Sequence, residues 1–404
     1  MAVSDTYIEK RVAITGIGQS AVGRRLGIDP LELTLDACLA AIEDAGLTTS
    51  DIDGLSTYPG PMPNPPGFSG AGAYEVIDAL RLNVNWYDGG LETSGQLGSV
   101  MKACMAVGAG MATHVVCFRS VWEGSAQGTG GRASVVTGNP ATSGRTYATG
   151  FSEWSLPFAC ASAACWIAMY AQAHMHRYGT TQAQLAQIAL NARRNAALNP
   201  KAIYQDPLTL EDYMASRMIC SPLHLFDCDV PCDGATAILV SRADVAKDLR
   251  KPPIGVEAMG AALHDRPSWD QLRDLTRTIG ADAAAQMWSR TDLTPADVQI
   301  AELYDGFSIL TMLWLEGLGL CPVGESGAFV DGGSRIARDG SLPVNTNGGQ
   351  LSGGRLHGYG FLHEACTQLW REGGARQVAK PLEVAAVAAG GGQTCGCMLL
   401  TAAR

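Results

Sequence analysis

A chain of 404 residues is long enough for two core-bearing halves, and 47% hydrophobic with 17% charged residues is an ordinary globular composition. The net charge of −10 has no compensating basic block, which argues against nucleic acid as a ligand. No run approaches the ~18 apolar residues of a membrane span, and the start MAVSDTYIEKRV lacks the apolar core of a signal peptide, so a soluble cytoplasmic protein is expected.

Arg11 to Ile17 (RVAITGI) reads as a β-branched strand, followed by an amphipathic helix over Pro30 to Gly46. Val100 to Gly110 reads as a buried Ala/Met helix and His114 to Phe118 as a buried strand, so the first third alternates as an α/β sheet does. Gly124 to Gly150 is rich in Gly, Ser and Thr and reads as a loop excursion, part of a less regular region near 120–220. Helical spacing returns over Cys160 to Tyr178 and Gln182 to Ala197, and a turn-rich stretch from Pro222 leads into a strand at Ala237 to Val240. In that stretch Asp229 and Asp233 read as turn residues.

After the linker Ala246 to Pro253 the alternation begins again, with Ile254 to Met259, Leu272 to Met287 and Val298 to Leu303. Asn345 to Gly360 (NTNGGQLSGGRLHGYG) is a loop with six glycines, followed by a helix over Tyr359 to Trp370 and a strand at Leu382 to Ala388. Residues 1–248 and 249–404 thus read as two halves of a duplicated α/β fold, although no letter-level repeat is visible. The twelve cysteines lie largely in apolar segments and read as reduced thiols. No histidine stands at ligand spacing beside Cys228/Cys232 or Cys395/Cys397, so no metal site is expected.

The stretches ITGIGQS, AAIEDAGLTTSDIDGL, PLHLFDCDVPCDGATAILV, AELYDGFSI, NTNGGQLSGG and AGGGQTCGCMLL together resemble the thiolases, particularly the sterol-carrier-protein type and its lipid-transfer-like relatives. The resemblance runs nearly the whole chain in order. It implies a five-layer αβαβα body of two similar halves, usually dimeric, with the cleft where loops of both halves meet. Thiolase catalysis itself does not carry over, because the family's functional positions differ here. The nucleophilic cysteine's place, counted from Ser94-Gly95, holds Glu92, and the place three residues before Phe307 holds Tyr304. The histidine of the G-H-P motif corresponds to Arg355, and the second cysteine to Ala388.

A thiolase-like pocket without a nucleophile still implies a coenzyme A thioester as substrate, with no permanently bound cofactor. Tyr304-Asp305-Gly306-Phe307 and the GGQLS segment resemble the bacterial steroid side-chain aldolases, a branch that cleaves 3-hydroxyacyl-CoA with tyrosines. That resemblance further implies a small partner subunit with an OB-fold and a zinc ribbon. Acyl transfer, and acyl-CoA or lipid binding without catalysis, stay open as alternatives.

Tyr304 either exchanges a proton with substrate, its phenol lowered by Arg355, or packs under the loop. His357 and Tyr359 are candidates for the second proton-transfer group, each with a packing or hydrogen-bonding alternative. Glu92 is expected near a helix N-terminus that favours its anion. Asn347, Gly348, Gly349 and Gly391 are the expected thioester-binding positions, the first three bringing backbone donors close to the acyl group.

Overall fold

The computed structural model describes residues 7–60, 66–93, 95–127, 152–158, 160, 162–392 and 394–403. Most of the expected loop excursion, 128–150, therefore lies outside the described residues.

The first strand, β1 (Val12–Gln19), is buried except at its last residue. A Cβ on Gly16 would stand 2.2 Å from the Ala41 carbonyl oxygen, and one on Gly18 2.1 Å from that of Ala37. Only glycine lets the helix Pro30–Asp44 lie this close to the strand. That helix begins with Pro30 after Asp29, whose carboxylate accepts the Leu31 N–H at 2.8 Å, and it buries Leu33, Ala37, Cys38 and Ala41.

The remaining strands are β2 (Gly54–Thr57), β3 (Trp86–Asp88), β4 (His114–Trp122), β5 (Met218–Cys220), β6 (Leu223–His224), β7 (Asp233–Arg242), β8 (Ile254–Gly260), β9 (Ile300–Leu303), β10 (Val384–Gly391) and β11 (Thr394–Thr401). All but β5 and β6 join one nine-stranded sheet in the order β3-β2-β4-β7-β1-β8-β11-β10-β9. From each edge inward the same pattern appears. β2 is parallel to β3 and β4, β4 antiparallel to β7, and β7 antiparallel to β1. In the second half β9 is parallel to β10, β10 antiparallel to β11, and β11 antiparallel to β8, with Val344 bridging Ala301 in the place of β3. The halves meet at β1 and β8, through Ala13 opposite Gly255 and Ile14 opposite Ile254.

Helices Pro30–Asp44 and Gly280–Trp288 pack on equivalent central strand pairs, β1/β7 and β8/β11. Gly98–Gly108 and Gly358–Leu369 form the middle layer, joined by a 2.8 Å hydrogen bond between the Ser99 and Tyr359 hydroxyls. Helix, sheet, helices, sheet and helix give the duplicated αβαβα arrangement expected from the sequence.

One helix is shorter than its spacing predicts. Of Leu272 to Met287 only Gly280–Trp288 is helical. The Asp274 carboxylate accepts both the N–H and the hydroxyl of Thr276, at 2.9 and 2.7 Å, and this local turn displaces helical bonding upstream. Asp233 opens β7 rather than merely turning the chain, and its carboxylate accepts the Leu26 and Ser125 N–H groups at 2.8 and 2.9 Å.

Candidate active site

The end of β9 carries Tyr304 and Asp305 toward the glycine-rich loop. Asn345 acts there as a surrogate strand partner. Its Oδ1 accepts the Leu303 N–H at 2.7 Å and its Nδ2 donates to the Leu303 carbonyl at 2.8 Å. Tyr304 is buried, its N–H donates to the Ala388 carbonyl at 2.9 Å, and its ring stands edge-on to Phe361 at 6.3 Å. A Cβ on Gly306 would lie 2.5 Å from the Tyr304 hydroxyl, so the phenol folds back over that glycine.

Asp305 is the anchor of the loop. Its Oδ1 accepts the Gln350 N–H at 2.7 Å, and Gly349, at φ +57°, is so close that a Cβ would sit 1.9 Å from Asp305 Oδ2. Burial pushes the Asp305 carboxyl up to about 7, against the N–H groups of Gln350 and Leu351 that favour its anion. The loop's amides are committed to the loop's own shape. The Gly348 N–H donates to the Asn345 carbonyl at 3.0 Å and the Gly349 N–H to Asn347 Oδ1 at 2.8 Å. The Gly348 and Gly349 N–H groups, expected to bring backbone donors near the acyl group, are thus engaged within the loop. Gly391 is likewise demanded by packing, since a Cβ there would lie 2.9 Å from the Trp269 ring.

Arg355 departs furthest from expectation. Its Nη1 donates to both Glu123 oxygens at 2.8 and 2.9 Å, and its Nε lies 2.9 Å from Asp229 Oδ2. Two carboxylates therefore share one cation at Arg355. The sequence presented Asp229 as a turn residue because its partner lies far along the chain. The backbone bond from the Arg355 N–H to the Val230 carbonyl, 2.9 Å, is what brings them together.

His357 is buried in an uncommon backbone conformation, φ +56° and ψ −156°, with its N–H donating to Gln350 Oε1 at 3.1 Å. Its ring meets Phe68 edge-on at 5.0 Å. Tyr359 does not face the cleft chemistry. It is fully buried, burial pushes its phenol well up, and its hydroxyl is held by Ser99 in the middle layer.

Glu92 lines a cavity of about 580 Å³ with Pro59, Phe68, Leu91, Leu263 and Cys395 among its walls. Along the chain the next described helix begins at Gly98. Burial raises the Glu92 pKa, opposed by the charge of Arg119 and a hydrogen bond from Gln96. The expected dipole-stabilised carboxylate is therefore a carboxyl pushed toward its neutral form. Cys395, the thiol on this wall, is driven strongly upward by burial and is held as a thiol.

Sequence reasoning missed Phe68, which joins these groups. Its ring lies 4.9 Å from the Arg119 guanidinium, 5.5 Å from that of Arg355 and edge-on to His357, and it lines the cavity. The one signal was a lone aromatic in a Pro/Gly-rich stretch. Arg119, wholly buried between the rings of Tyr58 and Phe68, was hidden inside an apolar strand.

A family profile described as thiolase C-terminal domain-like matches residues 261–400. The steroid side-chain-cleaving aldolase of Thermomonospora curvata is 38% identical over 361 residues, 87% of this chain and 88% of that protein. The 17-hydroxy-3-oxo-4-pregnene-20-carboxyl-CoA lyase of Mycobacterium tuberculosis is 35% identical over 369 residues, 89% and 91% of the two chains. Among solved structures, the Ltp2-ChsH2(DUF35) aldolase superposes with a TM-score of 0.85 at 32% identity, over 98% of this chain and 99% of that one.

Proposed function

Since this chain belongs to the thiolase superfamily, beside relatives named as lyases and aldolases, we propose that it cleaves a 3-hydroxyacyl-CoA by a retro-aldol reaction. A base removes the β-hydroxyl proton, and the Cα–Cβ bond breaks. The hydroxyl carbon leaves as a ketone or aldehyde, while the bonding pair passes into the thioester enolate. Protonation at Cα then gives the short acyl-CoA.

Tyr304 is the acid–base group at the end of β9, and Glu92 faces the substrate from the opposite half. His357 borders the same region through Phe68. The cavity, largely apolar and about 580 Å³, suits a bulky acyl group. The observation that carries this reading is the cavity wall. Its carboxyl, Glu92, is pushed toward the neutral acid and its thiol, Cys395, is held protonated, a pairing suited to proton transfer and unsuited to a covalent acyl-enzyme. The name of the Ltp2-ChsH2(DUF35) aldolase pairs two proteins, which supports a partner subunit; the partners in this reading are a small OB-fold, zinc-containing subunit and a second copy of this chain.

The test is ketone or aldehyde release from a 3-hydroxyacyl-CoA, with and without a co-expressed OB-fold subunit. Cleavage by wild type and its loss in Tyr304→Phe support the reading. Wild-type rates in Tyr304→Phe overturn the tyrosine assignment, and loss of activity on thiol alkylation points instead to a cysteine-based mechanism.

A further inference from the structure

Below Tyr304, side chains with no part in the proposed cleavage form a closed chain. Thr346 Oγ1 lies 2.9 Å from Glu302 Oε1 and 2.8 Å from Glu364 Oε1. Glu302 and Thr346 are 0% exposed and Glu364 1%. A threonine hydroxyl has a single hydrogen and can donate to only one of two carboxylates. Were both ionised, one of these contacts would set acceptor against acceptor in the interior. One glutamate therefore holds a proton and donates it to Thr346.

The surroundings decide which. Arg376 Nε lies 3.0 Å from both oxygens of Glu364, and Gln368 Nε2 donates to Glu364 Oε1 at 2.9 Å. Glu364 thus has a cation and a further donor to hold its anion. Glu302 receives only the Thr346 N–H, at 3.2 Å, and its Oε2 has no hydrogen-bond partner among the described residues. The charged groups facing Glu302 are Glu364 from the middle-layer helix and Asp305 from its own segment, and both oppose a second negative charge.

We infer that Glu302 is a neutral carboxylic acid donating to Thr346, and that the chain Glu302–Thr346–Glu364–Arg376 is a positioning device holding the end of β9 against the glycine-rich loop. Glu302 precedes Tyr304 by two residues, and Thr346 directly precedes Asn347. One proton therefore sets the spacing between the proposed acid–base group and the loop. Only the expected effect on cleavage rests on the proposed function, since the location of the proton does not.

Infrared difference spectroscopy on the full chain tests it. At neutral pH, wild type minus Glu302→Gln is expected to show the carbonyl stretch of a protonated carboxyl. The amide of Glu302→Gln can donate to Thr346 as the acid does. This variant should therefore melt at or above the wild-type temperature, with a gap that widens as pH rises above about 4, where an unfolded glutamate ionises, and cleave at close to the wild-type rate. Glu364→Gln should melt lower, having removed the anion that Arg376 faces. If Glu302→Gln fails to fold, Thr346→Val serves in its place and should shift the acid band by removing its acceptor. Absence of a protonated-carboxyl band, a band unmoved by Thr346→Val, or equal losses in Glu302→Gln and Glu364→Gln would overturn the assignment. Failure of cleavage in wild type would count against the proposed function and leave the spectroscopic result intact.

Discussion

At Tyr304, replacing the phenol by Phe removes one hydroxyl and leaves the ring contact with Phe361. Cleavage should fall by roughly 10²–10⁴-fold in kcat with little change in KM, the range for a lost general acid–base group, as followed by steady-state kinetics. Arg355→Met addresses stability instead. It leaves the buried Glu123 and Asp229 carboxylates without their shared cation and should cost about 3–5 kcal/mol in denaturant unfolding. Lysine should not restore it, because a point charge cannot reproduce the guanidinium's simultaneous hold on both groups. Gly349→Ala should destabilise by about 1–3 kcal/mol and depress cleavage, because its new methyl group meets Asp305 in a backbone conformation reserved for glycine.

Among the elements, strand and helix positions were legible wherever apolar periodicity was strong, as in β1, β8 and the helix Pro30–Asp44. The shortened helix at Gly280–Trp288 was not, because an Asp–Thr turn competes locally with a pattern that periodicity alone reads as continuous. The site divides along a similar line. Glu92 and Tyr304 were proposed from their spacing to Ser94-Gly95 and Phe307. The groups that surround the candidate residues lie on distant segments, Phe68 beside Glu92 on the cavity wall and Glu123 against Arg355, and leave no mark near the motif. Tyr359, expected either to transfer a proton or to pack, is fully buried with its hydroxyl on Ser99. Its hydroxyl joins the two middle-layer helices, so Ser99→Ala and Tyr359→Phe should each cost about 1 kcal/mol in thermal unfolding and leave cleavage intact.

Across the whole molecule, several buried carboxyls lean toward the protonated state, with Asp305 pushed up to about 7. Between roughly pH 4, where an unfolded aspartate ionises, and that value, the folded chain binds a proton that the unfolded chain has released. The stability contributed by Asp305 is therefore complete below about pH 4 and is lost as pH rises through about 7. Melting temperature should fall across this interval, and Asp305→Asn should flatten the decline.

The narrow seam between β1 and β8 gives the cavity a mechanical character. Its walls are drawn from both sides of that seam, with Pro59, Phe68 and Leu91 from one half and Leu263 and Cys395 from the other. A molecule lodged there works as a strut, resisting relative motion of two bodies that the sheet itself joins through only two residue pairs. Occupancy and rigidity become linked quantities. A ligand at a hundred times its dissociation constant adds about 2.7 kcal/mol to the folded state, so tight-binding acyl thioesters should announce themselves as melting shifts before any turnover is seen.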